Sequence, residues 1–160
     1  MNRRSIVVGV TTIFFLVLAL ATMVMAADPF VGTWKLNLAK SKVSDPSMMP
    51  KSEILKNVAQ GDSIKTTVDG VDAKGKTYHQ EYSGKWDGKD YAVAGDPAAD
   101  MLAVKMVDEN TIVGLAKKAG KEVENWQCTI SKDEKTMNLV GKGKDEKGQK
   151  YSFTSVYDKQ

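Results

Sequence analysis

Phe30-Val31-Gly32-Thr33-Trp34-Lys35-Leu36-Asn37-Leu38 is the stretch that decides the fold. Gly32, Trp34, Leu36 and Leu38 share one parity, and Val31, Thr33, Lys35 and Asn37 share the other. A period of two with a mixed outer face predicts a strand. What precedes it reads as a leader. Arg3 and Arg4 form a basic start, Ile6 to Ala21 is almost wholly apolar, and Val24-Met25-Ala26 offers small residues in a cleavage pattern. Residues 1–26 are therefore expected to be a signal peptide, cut after Ala26 or one residue later, with an uncleaved anchor as the alternative. No Cys follows the expected cut, so the lipoprotein pattern is absent. Residues 27–160 are expected to form a single domain.

Outward from the first strand, the chain is strand, turn, strand. Ala39 to Pro50 is a connection whose prolines forbid a long helix. Lys51 to Gln60 is a strand of uncertain inward parity, because Ile54, Leu55, Val58 and Ala59 put apolar side chains on both faces. Ser63 to Val68 follows. Thr77 to Trp86 alternates most cleanly, with Tyr78, Gln80, Tyr82, Gly84 and Trp86 opposite His79, Glu81, Ser83 and Lys85. Asp87-Gly88 reads as a turn before a short strand, Tyr91 to Ala94. Met101 to Val107, Thr111 to Lys117, Glu122 to Ile130, Thr136 to Lys142 and Lys150 to Tyr157 complete about ten strands. Trp126, Cys128 and Ile130 share one face, as do Tyr151, Phe153 and Tyr157. Short hairpin loops join antiparallel neighbours into a meander. The expected fold is all-β, an antiparallel up-and-down barrel of 8–10 strands, since closure buries one face and removes the edges. A two-sheet sandwich is the alternative. Asp72 to Tyr78 resembles Asp145 to Tyr151, which reads equally as duplication or as two turns meeting the same demand.

Composition excludes some functions. Taking 26 residues from 160 leaves 134, and removes both arginines. The remaining 21 lysines against 20 acidic residues give a formal charge of +1. A near-neutral surface without arginine argues against nucleic acid. Cys128 stands alone, so no intrachain disulfide forms.

Candidate sites follow from the inward parity. Tyr78, Gln80, Tyr82, Trp126, Tyr151, Phe153 and Tyr157 are the candidate ligand-binding residues. They either line a cavity or fill it. Trp34 is expected to plug one barrel end. His79 falls on the outward face beside Glu81, without the partners a metal site needs. Cys128 reads as a small core hydrophobe. Met48 and Met49 form either a lid or a passive plug. No catalytic set, metal-ligand spacing, cofactor motif or ionisable group on the inward face is read from the chain.

Gly32-Thr33-Trp34, within Phe30 to Leu36, resembles the first-strand motif of the calycin superfamily, the lipocalins and fatty-acid-binding proteins. The chain from residue 27 onward also resembles small secreted bacterial lipocalin-like proteins. The resemblance implies a closed barrel holding a small apolar molecule, with Gly32 and Trp34 as its structural motif. It departs from the family pattern in three ways. The Ala39–Pro50 connection is too short for the two helices that cover fatty-acid-binding barrels. The last strand lacks the arginine that holds a carboxylate. No arginine remains to pack across Trp34.

Binding or carriage of a small hydrophobic ligand, without catalysis, is the expected function. The expected place is the periplasm or the extracellular space. The protein is expected to be a monomer with no stable membrane insertion once the leader is removed. The alternatives are a ligand-free barrel acting through its outer surface, as an inhibitor or adhesion module, and a small barrel enzyme such as an isomerase.

Overall fold

The computed structural model describes residues 28–145 and 147–160. The expected leader, residues 1–26, lies outside them. Eleven strands form one sheet: β1 (Gly32–Leu36), β2 (Lys42–Val43), β3 (Ser52–Gln60), β4 (Ser63–Val71), β5 (Thr77–Gly84), β6 (Asp87–Ala94), β7 (Met101–Asp108), β8 (Thr111–Lys118), β9 (Lys121–Ile130), β10 (Thr136–Lys144) and β11 (Lys150–Lys159). Each strand from β3 to β11 pairs antiparallel with the next. β1 pairs with both β3 and β11, which closes the barrel. Closure rules out the sandwich. Among the described residues no helix is long and apolar enough to cross a membrane.

Two boundaries differ from expectation. The Ala39–Pro50 connection contains β2, which pairs with β11 at Phe153 and Thr154, above the stretch of β11 that β1 occupies. β1 and β2 are thus one wall position interrupted by a short excursion. The Ser41 hydroxyl staples that excursion, donating to the Asn37 carbonyl (2.7 Å) and accepting from the Val156 amide (3.0 Å). No periodicity is visible in two residues, so β2 has no sequence signature. Asp87-Gly88 is not a turn between strands but the start of β6, where the ladder with β7 is irregular between Asp87 and Asp90. Leu38, of inward parity, is 45% exposed, because β1 ends at Leu36 and the chain leaves the wall.

Trp34 and Phe30 are completely buried and close one end of the barrel. The Trp34 indole donates Nε1–H to the Phe30 carbonyl at 3.0 Å. Asn57, on the inward face of β3, donates to the same oxygen at 3.0 Å and accepts from the Thr66 hydroxyl at 2.7 Å. Phe30 meets Trp86 edge to face at 5.2 Å between ring centres. Ile112, Ile130 and Met137 complete this packed end. Lys159 places its ammonium 5.1 Å from the centre of the Trp34 ring. A lysine from the last strand thereby covers the ring, and among the described residues there is no arginine to do so. Gly32 suits this crossing, with φ of +142° and Lys159 Cε 3.1 Å from where a Cβ would stand.

The wall is uneven. β3–β4, β4–β5 and β10–β11 pair along eight or nine positions each, whereas β5 and β6 pair only at Glu81–Ala94 and Tyr82–Val93.

Replacing Trp34 tests the plug. Trp34→Ala should cost about 3–5 kcal/mol through the cavity it leaves. Trp34→Phe should cost clearly less, because Asn57 still satisfies the Phe30 carbonyl. Urea denaturation followed by far-UV circular dichroism measures both; equal losses would contradict the assignment of Trp34 as a space-filling plug.

Candidate functional site

Above the packed end the barrel opens into a cavity of about 1060 Å³. Its deeper wall is Leu36, Leu55, Val104, Cys128, Met137 and Leu139. Tyr78, Gln80, Tyr82, Trp126, Tyr151, Phe153 and Tyr157 all border it. Trp34 does not, which agrees with its place in the plug. Met48, in a short 3-10 turn, and Met49 border the mouth, Met48 at 42% exposure. The Gly95–Ala99 segment covers another part of the mouth, with Ala99 buried.

Glycines keep the space open for rings. Gly114, Trp126, Gly141 and Phe153 form one row across β8, β9, β10 and β11. A Cβ on Gly114 would stand 2.1 Å from the Trp126 ring, and one on Gly141 would stand 2.5 Å from Phe153. The two indispensable absences of side chain let two aromatic rings lie flat along the wall. Small and large residues thus alternate around the barrel.

The pleat above carries polar chemistry. Glu124, Gly143 and Tyr151 are cross-strand partners on β9, β10 and β11. Tyr151 reaches over Gly143 and donates its hydroxyl to Glu124 Oε2 at 2.6 Å. The same arrangement recurs on β3, β4 and β5. Glu53, Gly70 and Tyr78 are cross-strand partners, and Tyr78 reaches over Gly70 to donate to Glu53 Oε2. Tyr157 donates to the other oxygen of Glu53. In each unit the same hairpin joins the glycine strand to the tyrosine strand. Asp72 Oδ1 accepts from the amides of Lys74 and Lys76, and Asp145 Oδ1 accepts from those of Lys147 and Gln149. Gly75 and Gly148 take positive φ, 90° and 78°, to close these loops. The resemblance of Asp72–Tyr78 to Asp145–Tyr151 therefore extends to two matching Glu–Gly–Tyr rows.

Two ionisable groups thus face a cavity expected to have none, which corrects the sequence expectation. Glu53 escaped notice because β3 carries apolar side chains on both faces. Its inward set is Glu53, Leu55 and Asn57, with Ile54 and Val58 45% and 40% exposed. Glu124 looked like a charged strand end, yet it stands two residues before Trp126 on the same parity. Burial raises the Glu124 carboxyl above its ordinary value, against the Tyr151 hydrogen bond that lowers it, and the Asp96 charge adds to the rise. The hydroxyls of Tyr78, Tyr151 and Tyr157 are held well above the usual phenol value, first by burial and then by the carboxylates they face. They act as donors. Burial pushes the Tyr82 hydroxyl up to about 12, and this buried hydroxyl has no hydrogen-bond partner among the described residues.

The remaining candidates stay outside this chemistry. His79 is exposed, with Nδ1 2.7 Å from Asp69 and Nε2 3.3 Å from Glu81; both partners raise it as a surface cluster does. Cys128 is buried, and burial pushes its thiol up to about 12, so it carries little thiolate at neutral pH.

Two outcomes follow. Gly143→Ala should destabilise the barrel by about 1–3 kcal/mol by overpacking, since its Cβ would meet Tyr151 Oη at 2.6 Å and the Val123 carbonyl at 2.8 Å. A shift in the urea midpoint reads this. The raised Glu124 carboxyl means the folded chain holds that proton more tightly than the unfolded chain. Stability is then lost as pH rises from the ordinary glutamate range through the folded value. Glu124→Gln removes this loss, so its melting temperature should rise relative to wild type between pH 4 and pH 7. A difference that stays constant with pH would refute the burial of the charge.

No protein-family model matches the chain, and no curated protein matches it. Among solved structures, zebrafish ileal bile acid-binding protein complexed with cholic acid is similar at 12% identity and a TM-score of 0.50, over 82% of this chain and 99% of that one. EF1p2_mFAP2b bound to DFHBI is similar at 12% identity and a TM-score of 0.47, over 84% and 97%. A biogenic amine-binding protein is similar at 13% identity and a TM-score of 0.44, over 82% and 65%. The likeness to the bile acid-binding protein is one of fold, the calycin-type barrel that the Gly32-Thr33-Trp34 stretch implied.

Proposed function

We propose that the protein binds or carries a small, largely apolar molecule inside its barrel, without catalysis, in the bacterial envelope or outside the cell. The cavity of about 1060 Å³ carries this reading. It is a ligand-sized space, bordered mainly by aliphatic and aromatic side chains with a few convergent polar groups. The similar zebrafish barrel is complexed with cholic acid, which supports an interior ligand in a barrel of this kind. The apolar run before Ala26 supports export, and the single cysteine leaves the barrel free of cross-links in an oxidising compartment.

The outer-surface alternative draws on a specific observation. Leu38 and Ile54 are each 45% exposed and flank a shallow outer groove with Val71. The enzyme alternative gains the buried carboxyl of Glu124 that it needed.

Native mass spectrometry of protein purified from its own host, followed by organic extraction, separates the readings. A reproducible added mass of lipid or pigment size is expected, and its recovery chemically unchanged after incubation with the protein distinguishes carriage from turnover. Leu139→Trp, which fills the cavity wall, should weaken uptake of the apolar dye Nile red at least about tenfold, the effect of losing about 1.4 kcal/mol. A bare polypeptide mass together with no dye uptake would favour the outer surface.

A further inference from the structure

We propose that the molecule held in the barrel carries a basic nitrogen, seated against Glu124 and the aromatic wall of Trp126, Tyr151 and Phe153. This rests on the carrier reading above and names the chemistry of its ligand.

The charges around the cavity are lopsided. Glu53, Asp72, Glu81, Asp96 and Glu124 border it, while among the described residues the bordering cations are Lys76 and His79, both exposed at the rim. A fatty acid or another anion would find no buried cation to pair with and two half-buried carboxyl groups, Glu53 and Glu124, facing it. The two carboxylates are not equivalent. Both oxygens of Glu53 take a tyrosine hydroxyl. Glu124 takes one, from Tyr151 on Oε2, and among the described residues no donor reaches Oε1. That oxygen has room for one more donor from a ligand.

The surroundings of Glu124 suit a cation in particular. Trp126 stands one pleat below it on the same face of β9. Tyr151 and Phe153 stack with ring centres 6.3 Å apart and planes 29° from parallel. Aromatic faces attract a cation through their quadrupoles, and the attraction grows when water is excluded. A carboxylate beside such faces gives an ammonium an ion pair, a charge-assisted hydrogen bond and an apolar exit for its chain. On the other side of the barrel, in β5, Tyr82 is 5% exposed and its buried hydroxyl has no hydrogen-bond partner among the described residues, which leaves a second polar group bordering the same cavity.

The test compares three probes that differ only in the head group: dodecylamine, dodecanol and dodecanoate. Each displaces Nile red from the purified protein at pH 7 below its micelle concentration. The amine should bind about tenfold or more tighter than the other two, the increment expected of one charge-assisted contact. Glu124→Gln should abolish that preference, bringing amine and dodecanol affinities measured on the same variant to within about twofold of each other, and Glu124→Asp, which keeps the charge, should retain part of it. Near-UV circular dichroism confirms that both variants fold. Binding of all three with no preference for the amine, or a preference that survives Glu124→Gln, would overturn the inference and leave the carrier reading standing. Failure of Nile red and of all three probes to bind would overturn both.

Discussion

The barrel depends on how its narrow end is sealed. A closed sheet needs something to fill the end where the strands converge, and here that filler is an indole that must also satisfy its N–H. The Phe30 carbonyl does so, and holds Asn57 in place by the same oxygen. This one acceptor ties the segment entering the barrel to β1 and β3. Thr66 extends the tie to β4 through Asn57. The apolar cluster that begins at this seal continues up the wall through Leu36, Val104, Cys128 and Tyr157, so the same side chains that hold the barrel together also line its hollow part.

The glycines make the hollow part specific. Gly70, Gly114, Gly141 and Gly143 each give way to an aromatic ring from the next strand. Without a Cβ in the way, the rings lie along the wall rather than across the lumen. The tyrosines reach carboxylates two strands distant by the same device. Two stretches of sequence, β3–β5 and β9–β11, build this arrangement with the same spacing from glycine through the Asp hairpin to tyrosine. The recurrence thus extends from the hairpin to the register and the tyrosine–glutamate hydrogen bond.

Much of the fold was legible because alternation survives in most strands. Thr77 to Trp86 and Lys150 to Tyr157 declare their inward faces through aromatic residues two apart. The strands hard to read were those where polarity and position disagree. β2 is too short for any pattern, and β6 begins at Asp87-Gly88, residues that usually mark a turn. The aromatic part of the cavity was legible for the same reason as the fold. Its acidic part was not, because a glutamate at a strand end is ordinarily solvated. The parity of Glu124 with Trp126 points inward, and the register, which sets it beside Gly143 and Tyr151, gives it a partner there.

The shallow ladder between β5 and β6 has a mechanical meaning. Most of the barrel is zipped by long ladders, and β1 closes on β11 through three residue pairs. The join held by only two residue pairs lies instead in mid-sequence. The molecule is a sheet rolled so that its weakest line runs far from either terminus. Local opening on heating is therefore expected to begin along β5 and β6, in the middle of the ladder order and away from the β1–β11 closure.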